Sequence, residues 1–144
     1  NEYEGINSRT DEIQAAALRV KLPRLDIDNE HRRQIARKYM NGIKNPMIIL
    51  PLWPQDDQEC VWHLFPIRCA ERDSLQKYLS EAGVQTLIHY PIAPHKQEAL
   101  KHLEHGPLPL TQRIHEEELS LPISPIMTED DAEFVINLLN KFVK

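Results

Sequence analysis

The chain has 144 residues, 41% of them hydrophobic and 27% charged, which is enough for one domain with a real core and too ordinary for a disordered or disulfide-dense class. A net charge of -5 with scattered Lys and Arg argues against a nucleic-acid partner, and no apolar run approaches the length of a membrane span. With no signal-peptide pattern at the amino terminus, the sequence predicts a cytoplasmic protein whose Cys60 and Cys69 stay reduced and unpaired.

The chain opens without Met, at Asn1-Glu2-Tyr3, and enters a helix within a dozen residues, so it reads as a piece of something longer. Ile13, Ala16, Ala17 and Val20 fall on one stripe of a helix over Thr10 to Leu22, which Pro23 is expected to stop. Asp28 or Asn29 then caps a second helix running to about Gly42, with Ile35, Tyr39 and Met40 inward and His31, Arg32, Arg33, Arg37 and Lys38 solvated. After Pro46 the period becomes β-like. Met47–Leu50 is a short apolar run, Trp53–Glu59 a loop, and Cys60–Arg68 the best strand, in which Pro66 implies an edge, a bulge or an early end. His63 in that strand is expected to be a core histidine. An amphipathic helix opens at Asp73 and ends at Gly83, and Val84–Ile88 forms the next strand. A short helix near Lys96 to His102, a helix from Thr111 to Glu118, extended Leu119–Pro122 and a final helix capped by Thr128–Asp131 complete the chain. These elements predict an α/β (α+β) sandwich: a small, mostly antiparallel sheet with helices packed on one side of it.

The densest chemistry follows the Val84–Ile88 strand. His89-Tyr90-Pro91-Ile92-Ala93-Pro94-His95-Lys96-Gln97 sets two imidazoles, a phenol and an amide on a loop stiffened by two prolines. Several such groups between two elements favour a binding loop over a His-rich surface turn.

Several stretches together resemble one family. Gly5-Ile6-Asn7-Ser8-Arg9 leading into Asp11–Ala16, Val61–Phe65, His89-Tyr90-Pro91 with Pro94-His95-Lys96-Gln97, and Glu118-Leu119-Ser120-Leu121-Pro122 with Met127-Thr128 look like the C-terminal part of the DegT/DnrJ/StrS sugar-nucleotide aminotransferases, nearest to those forming 3-amino-3,6-dideoxyhexoses on a dTDP carrier. The resemblance implies a fold type I enzyme that uses pyridoxal 5′-phosphate and glutamate, works as a homodimer and aminates a nucleotide-linked keto-sugar for polysaccharide or other glycan synthesis. Residues 1–144 would be its small domain, with 1–22 the connecting helix from a large domain. The Schiff-base lysine, the acid facing the pyridinium nitrogen and the aromatic group on the cofactor ring all belong to that large domain, so the resemblance leaves no catalytic residue here and predicts an inactive fragment.

By the same resemblance, Asn7 reaches the cofactor phosphate of the neighbouring subunit and Arg9 adds charge beside it. His89 and Tyr90 would line the sugar-nucleotide pocket, joined by His95 unless His95 and Gln97 serve to tie the loop together. Two other classes stand beside this one. A metal site from His89, His95 and His102 has neither zinc-ribbon nor one-face helical spacing, whereas a non-catalytic interaction or dimerisation module would fit a domain separated from its partner.

Overall fold

The computed structural model describes residues 10–98, 102 and 106–143. Helix α1 (Glu12–Lys21) begins where the Asp11 carboxylate accepts from the Gln14 N–H at 2.9 Å, satisfying one orphan donor of the first turn. None of its residues is buried, and Ile13 stands 83% exposed, so the apolar stripe lies open on this chain. Pro23 follows the end of α1 at Lys21, as expected. It sits at the start of a single 3-10 turn, Leu22–Arg24, where a missing N–H breaks no bond, and α2 (Leu25–Gly42) follows at once, ahead of the expected caps at Asp28 and Asn29.

Helix α2 lies against the last helix, α5 (Glu129–Lys141), and Gly42 permits their approach. A Cβ at position 42 would stand 2.7 Å from Ile136 Cδ1 and 3.0 Å from its Cγ2. The two helices also cap each other's ends. The Asn140 amide donates to the Gly42 carbonyl at 2.8 Å, while buried Asn45 donates to the carbonyls of Leu139 at 2.8 Å and Phe142 at 2.7 Å. At the start of α5, within the predicted Thr128–Asp131 capping cluster, Thr128 and Asp131 form a reciprocal capping box, and the Thr128 hydroxyl and then its N–H, donating to the Asp131 carboxylate, lower its pKa.

The sheet has three antiparallel strands in the order β1 (Ile48–Ile49), β2 (Phe65–Cys69), β3 (Glu118–Leu121). Its register pairs Phe65 with Leu121, Ile67 with Leu119 and Ile48 with Cys69, so these six side chains share one face, all buried. Onto that face pack Ile35 and Tyr39 of α2, Leu75 and Leu79 of α3 (Arg72–Glu81), and Val135 and Leu139 of α5. Tyr39 meets Phe65 at a centroid distance of 5.0 Å and donates its hydroxyl proton to the Pro122 carbonyl at 2.8 Å; burial pushes the phenol above its ordinary pKa. Gly83 ends α3 region at φ 84, the left-handed position expected of it.

Several strand expectations change. The strand starts at Phe65 rather than Cys60, so His63 is exposed rather than in the core. Pro66 does sit inside the strand. Ser120, its partner, directs both N–H and C=O at Leu87, so the Pro66–Ser120 pair is of the non-hydrogen-bonded kind, and the proline nitrogen points toward the β1 side, where β1 has already ended. Val84–Ile88 is not a full strand: only Leu87 pairs, as a single antiparallel bridge to Ser120. Arg33 is buried rather than solvated. Its Nε donates to the carbonyl of Asp57 at 2.9 Å, and Glu30 and Gln58 take its Nη atoms. Arg37 pairs with Asp57 and lies over the Trp53 ring at 5.6 Å, so the basic face of α2 holds down the 53–60 loop instead of facing water. Among the described residues no helix is long and apolar enough to cross a membrane, and Cys60 and Cys69 are free thiols.

Candidate functional site

Strand β3 has every residue buried, including two polar ones. Leu119 and Leu121 take the core face, which leaves Glu118 and Ser120 side by side on the other. Beside them runs the chain that leads into the proline-stiffened loop. Leu87 and Ser120 exchange both backbone bonds, at 3.2 and 2.8 Å. Continued, that register would set His89 opposite the Glu118 backbone. Instead the His89 N–H goes to the Glu118 carboxylate, Oε2, at 2.8 Å, and the chain turns away from the sheet into the loop.

The ring of His89 is held as well as its backbone. Nδ1 lies 2.9 Å from Ser120 Oγ, and Ser120 Oγ donates to Glu118 Oε1 at 2.6 Å. Despite its membership this is not a hydrolase triad. The serine hydroxyl gives its proton to the acid rather than to the imidazole, and it is buried, so no nucleophile is presented. The arrangement anchors a histidine. Tyr90 follows across a cis peptide, its ring edge-on to the His89 ring at 5.6 Å and 66% exposed. Its carbonyl lies 2.6 Å from Nδ1 of His115, in the last turn of α4 (Pro109–Glu117), and the His115 carbonyl accepts from Arg72 Nη1 at 2.9 Å. Thus β3, α3 and α4 all fix the two residues singled out in the sequence. Next to them Glu117 ion-pairs with Arg113 at 2.8 Å and Arg68 at 3.5 Å, which pins α4 to β2.

The rest of the loop closes on itself. Pro94–Lys96 forms one 3-10 turn, Ala93 is buried beneath it, and the Gln97 amide donates to the Ile92 carbonyl at 3.4 Å. His95 is half-buried on this turn, and His102 is exposed. Asn7 and Arg9 lie outside the described residues. Glu118, Ser120 and His115 received no role from the sequence; the one signal was the alternation of polar residues with Leu119 and Leu121, which suggests a wet face until a neighbouring chain covers it. Among the described residues no three His, Cys, Asp or Glu side chains are placed to share a metal ion.

Of the described lysines all are exposed except Lys38, which is half-buried and engaged with Glu129 at 3.1 Å and Glu133 at 3.7 Å.

Comparison with known proteins shows the family and the fold. The sequence model of the DegT/DnrJ/EryC1/StrS aminotransferase family matches residues 1–140. The chain is 49% identical over 142 residues to dTDP-3-amino-3,6-dideoxy-alpha-D-galactopyranose transaminase of Aneurinibacillus thermoaerophilus, a match covering 99% of this chain and 39% of that protein. Among solved structures it is similar to Streptomyces venezuelae DesV, with a TM-score of 0.87, 38% identity and coverage of 99% of this chain and 40% of DesV. It is also similar to NtdA of Bacillus subtilis, solved with bound cofactor PMP, at a TM-score of 0.82, 31% identity, and coverage of 94% and 33%. The chain therefore spans about two fifths of the length of the A. thermoaerophilus relative it matches.

Proposed function

Because the chain belongs to the DegT/DnrJ/EryC1/StrS aminotransferase family, we propose that it is the small, C-terminal domain of a sugar-nucleotide transaminase that takes an amino group from glutamate to a keto-sugar on a nucleotide carrier. In this reading its His89–Tyr90 corner supplies part of the sugar-nucleotide pocket. The observation that carries the reading is the anchoring of that corner by Glu118, Ser120 and His115, which leaves the Tyr90 ring free in solvent. Hydroxyls and phosphates of a sugar nucleotide are ligands that an imidazole and a phenol both serve. His95, on the turn that follows, is assigned to the same pocket.

Pyridoxal 5′-phosphate would supply the electron sink for amino transfer. In this reading its covalent attachment and proton transfers are assigned to a large domain outside this chain. Asn7 and Arg9 are assigned to the phosphate of the cofactor in the neighbouring subunit of a homodimer. A chain carrying only this half of the chemistry has no turnover of its own. The test supplies glutamate, pyridoxal 5′-phosphate and a dTDP-linked 3-keto-6-deoxyhexose to the longer enzyme containing this chain and to the 144 residues alone. The longer enzyme is expected to release 3-amino sugar, and the chain alone none above buffer. Turnover by the chain alone, or an inactive longer enzyme that binds its cofactor normally, contradicts the proposal.

A further inference from the structure

On the reading that His89 meets the sugar nucleotide, we infer that Glu118 and Ser120 are positioning residues that keep the proton of the neutral His89 ring on Nδ1, so that Nε2 offers a lone pair to a hydroxyl of the sugar.

Glu118 and Ser120 are 6% and 4% exposed, so their polar atoms must be satisfied within the protein. A carboxylate only accepts, and Glu118 does so twice: from the His89 backbone N–H at Oε2 and from the Ser120 hydroxyl at Oε1. Ser120 has one proton, and the 2.6 Å contact with Glu118 uses it. At its contact with His89 the hydroxyl is therefore the acceptor, and the donor is Nδ1–H. Two buried residues on one face of β3 thus specify the tautomer of a half-buried histidine beside them. The edge-on Tyr90 ring bounds the imidazole on one side, and among the described residues the hydrogen bonds of His89 use its backbone N–H and Nδ1, none of them Nε2.

The consequence is chemical selectivity. An Nε2 lone pair attracts a donor, such as a sugar hydroxyl, and repels a carbonyl or phosphoryl oxygen. The opposite tautomer would reverse that preference. The keto oxygen and the diphosphate of the substrate would then be directed to other groups, while a neighbouring ring hydroxyl takes His89.

Nitrogen-detected NMR of the 15N-labelled chain reads this directly. Two-bond proton–nitrogen correlations, recorded at a pH where His89 is neutral, distinguish a protonated Nδ1 from a protonated Nε2. The wild-type ring is expected to carry its proton on Nδ1. Ser120→Ala should lose the Nδ1–H pattern, and Ser120→Thr, which keeps the hydroxyl, should restore it, each variant being checked for a native amide spectrum. A wild-type ring protonated on Nε2 overturns the inference by itself, even if no variant folds, and so does an unchanged tautomer in a folded Ser120→Ala. Because no ligand is present, these results are independent of whether sugar nucleotide binds at all. Adding dTDP-glucose to the longer enzyme tests that separately: a shift at His89 Nε2 supports the placement, and its absence withdraws the placement while leaving the tautomer assignment intact.

Discussion

Asn45→Ala removes one amide on which three backbone groups converge. Asn45 Nδ2 donates to the carbonyls of Leu139 at 2.8 Å and Phe142 at 2.7 Å, and its Oδ1 accepts from the Met47 N–H at 3.0 Å. The Leu139 carbonyl belongs to the last turn of α5, where the backbone gives it a long bond from the Phe142 N–H at 3.3 Å. The side chain is only 9% exposed, so water does not simply replace it. With about 0.5–1.5 kcal/mol net per hydrogen bond, and some relief where water reaches Met47, the loss should be about 2–3 kcal/mol. In a domain of this size each kcal/mol shifts Tm by roughly 2–4 °C, so thermal unfolding followed by circular dichroism should drop by roughly 5–10 °C. Urea titration should show a lower midpoint at unchanged slope. Asn45→Asp separates hydrogen bonding from packing. It keeps the volume and the acceptor for Met47 but aims a carboxylate oxygen at two carbonyls, so at neutral pH it should cost at least as much as alanine and recover in part once acid protonates it. An alanine variant within about 0.5 kcal/mol of the parent, the range of an ordinary surface change, would show that these bonds do not stabilise the domain, as would an aspartate tolerated at neutral pH.

Gly42→Ala should destabilise although it sits in a helix, because a gain of about 1 kcal/mol in helix propensity competes with an overpacking cost of about 1–3 kcal/mol where its Cβ meets Ile136 Cδ1 at 2.7 Å. Adding Ile136→Val removes that atom and should shrink the penalty in a double-mutant cycle; a Gly42→Ala chain more stable than its parent would show the contact to be soft. The hydrogen bond from Trp53 and then that from Arg37 lower the pKa of Asp57. A carboxylate with a depressed folded pKa contributes stability that is present above its unfolded pKa and lost as pH falls through the folded one. Asp57→Asn should therefore be less stable than the parent at neutral pH and converge with it in acid, and parallel stability curves across that range would contradict the assignment.

Features governed by local chain chemistry were legible in the sequence. The capping box at Thr128 and Asp131, the left-handed Gly83 and the proline-braced loop after Ile88 depend on residues within a few positions of each other, and the structure has them where the spacing placed them. Features set by distant packing were not. Arg33 looked solvated because its satisfying carbonyls, Asp57 and Cys60, come from a loop remote in sequence. Pro66 was expected to mark an edge, a bulge or an early end, and the gap on the β1 side that selects the edge becomes visible only with the register in hand. Glu118 was expected at the end of a helix and Ser120 in extended chain, and neither gained a role because the segment that covers them pairs through one bridge, Leu87 to Ser120. His115 gave no signal at all, since its contact is with the backbone of Tyr90 rather than with a side chain.

In the proposed enzyme the His89–Tyr90 corner serves the sugar and not the cofactor, a claim that single-turnover kinetics of His89→Asn in the longer enzyme put to the test. Glutamate should convert the bound cofactor to its amino form at a near-wild-type rate, because that half-reaction uses groups outside this chain. Transfer to the dTDP-linked keto-sugar should slow by about tenfold or more, the effect of losing an orienting or proton-handling group. Equal loss of both half-reactions, or loss of neither, would contradict the claim.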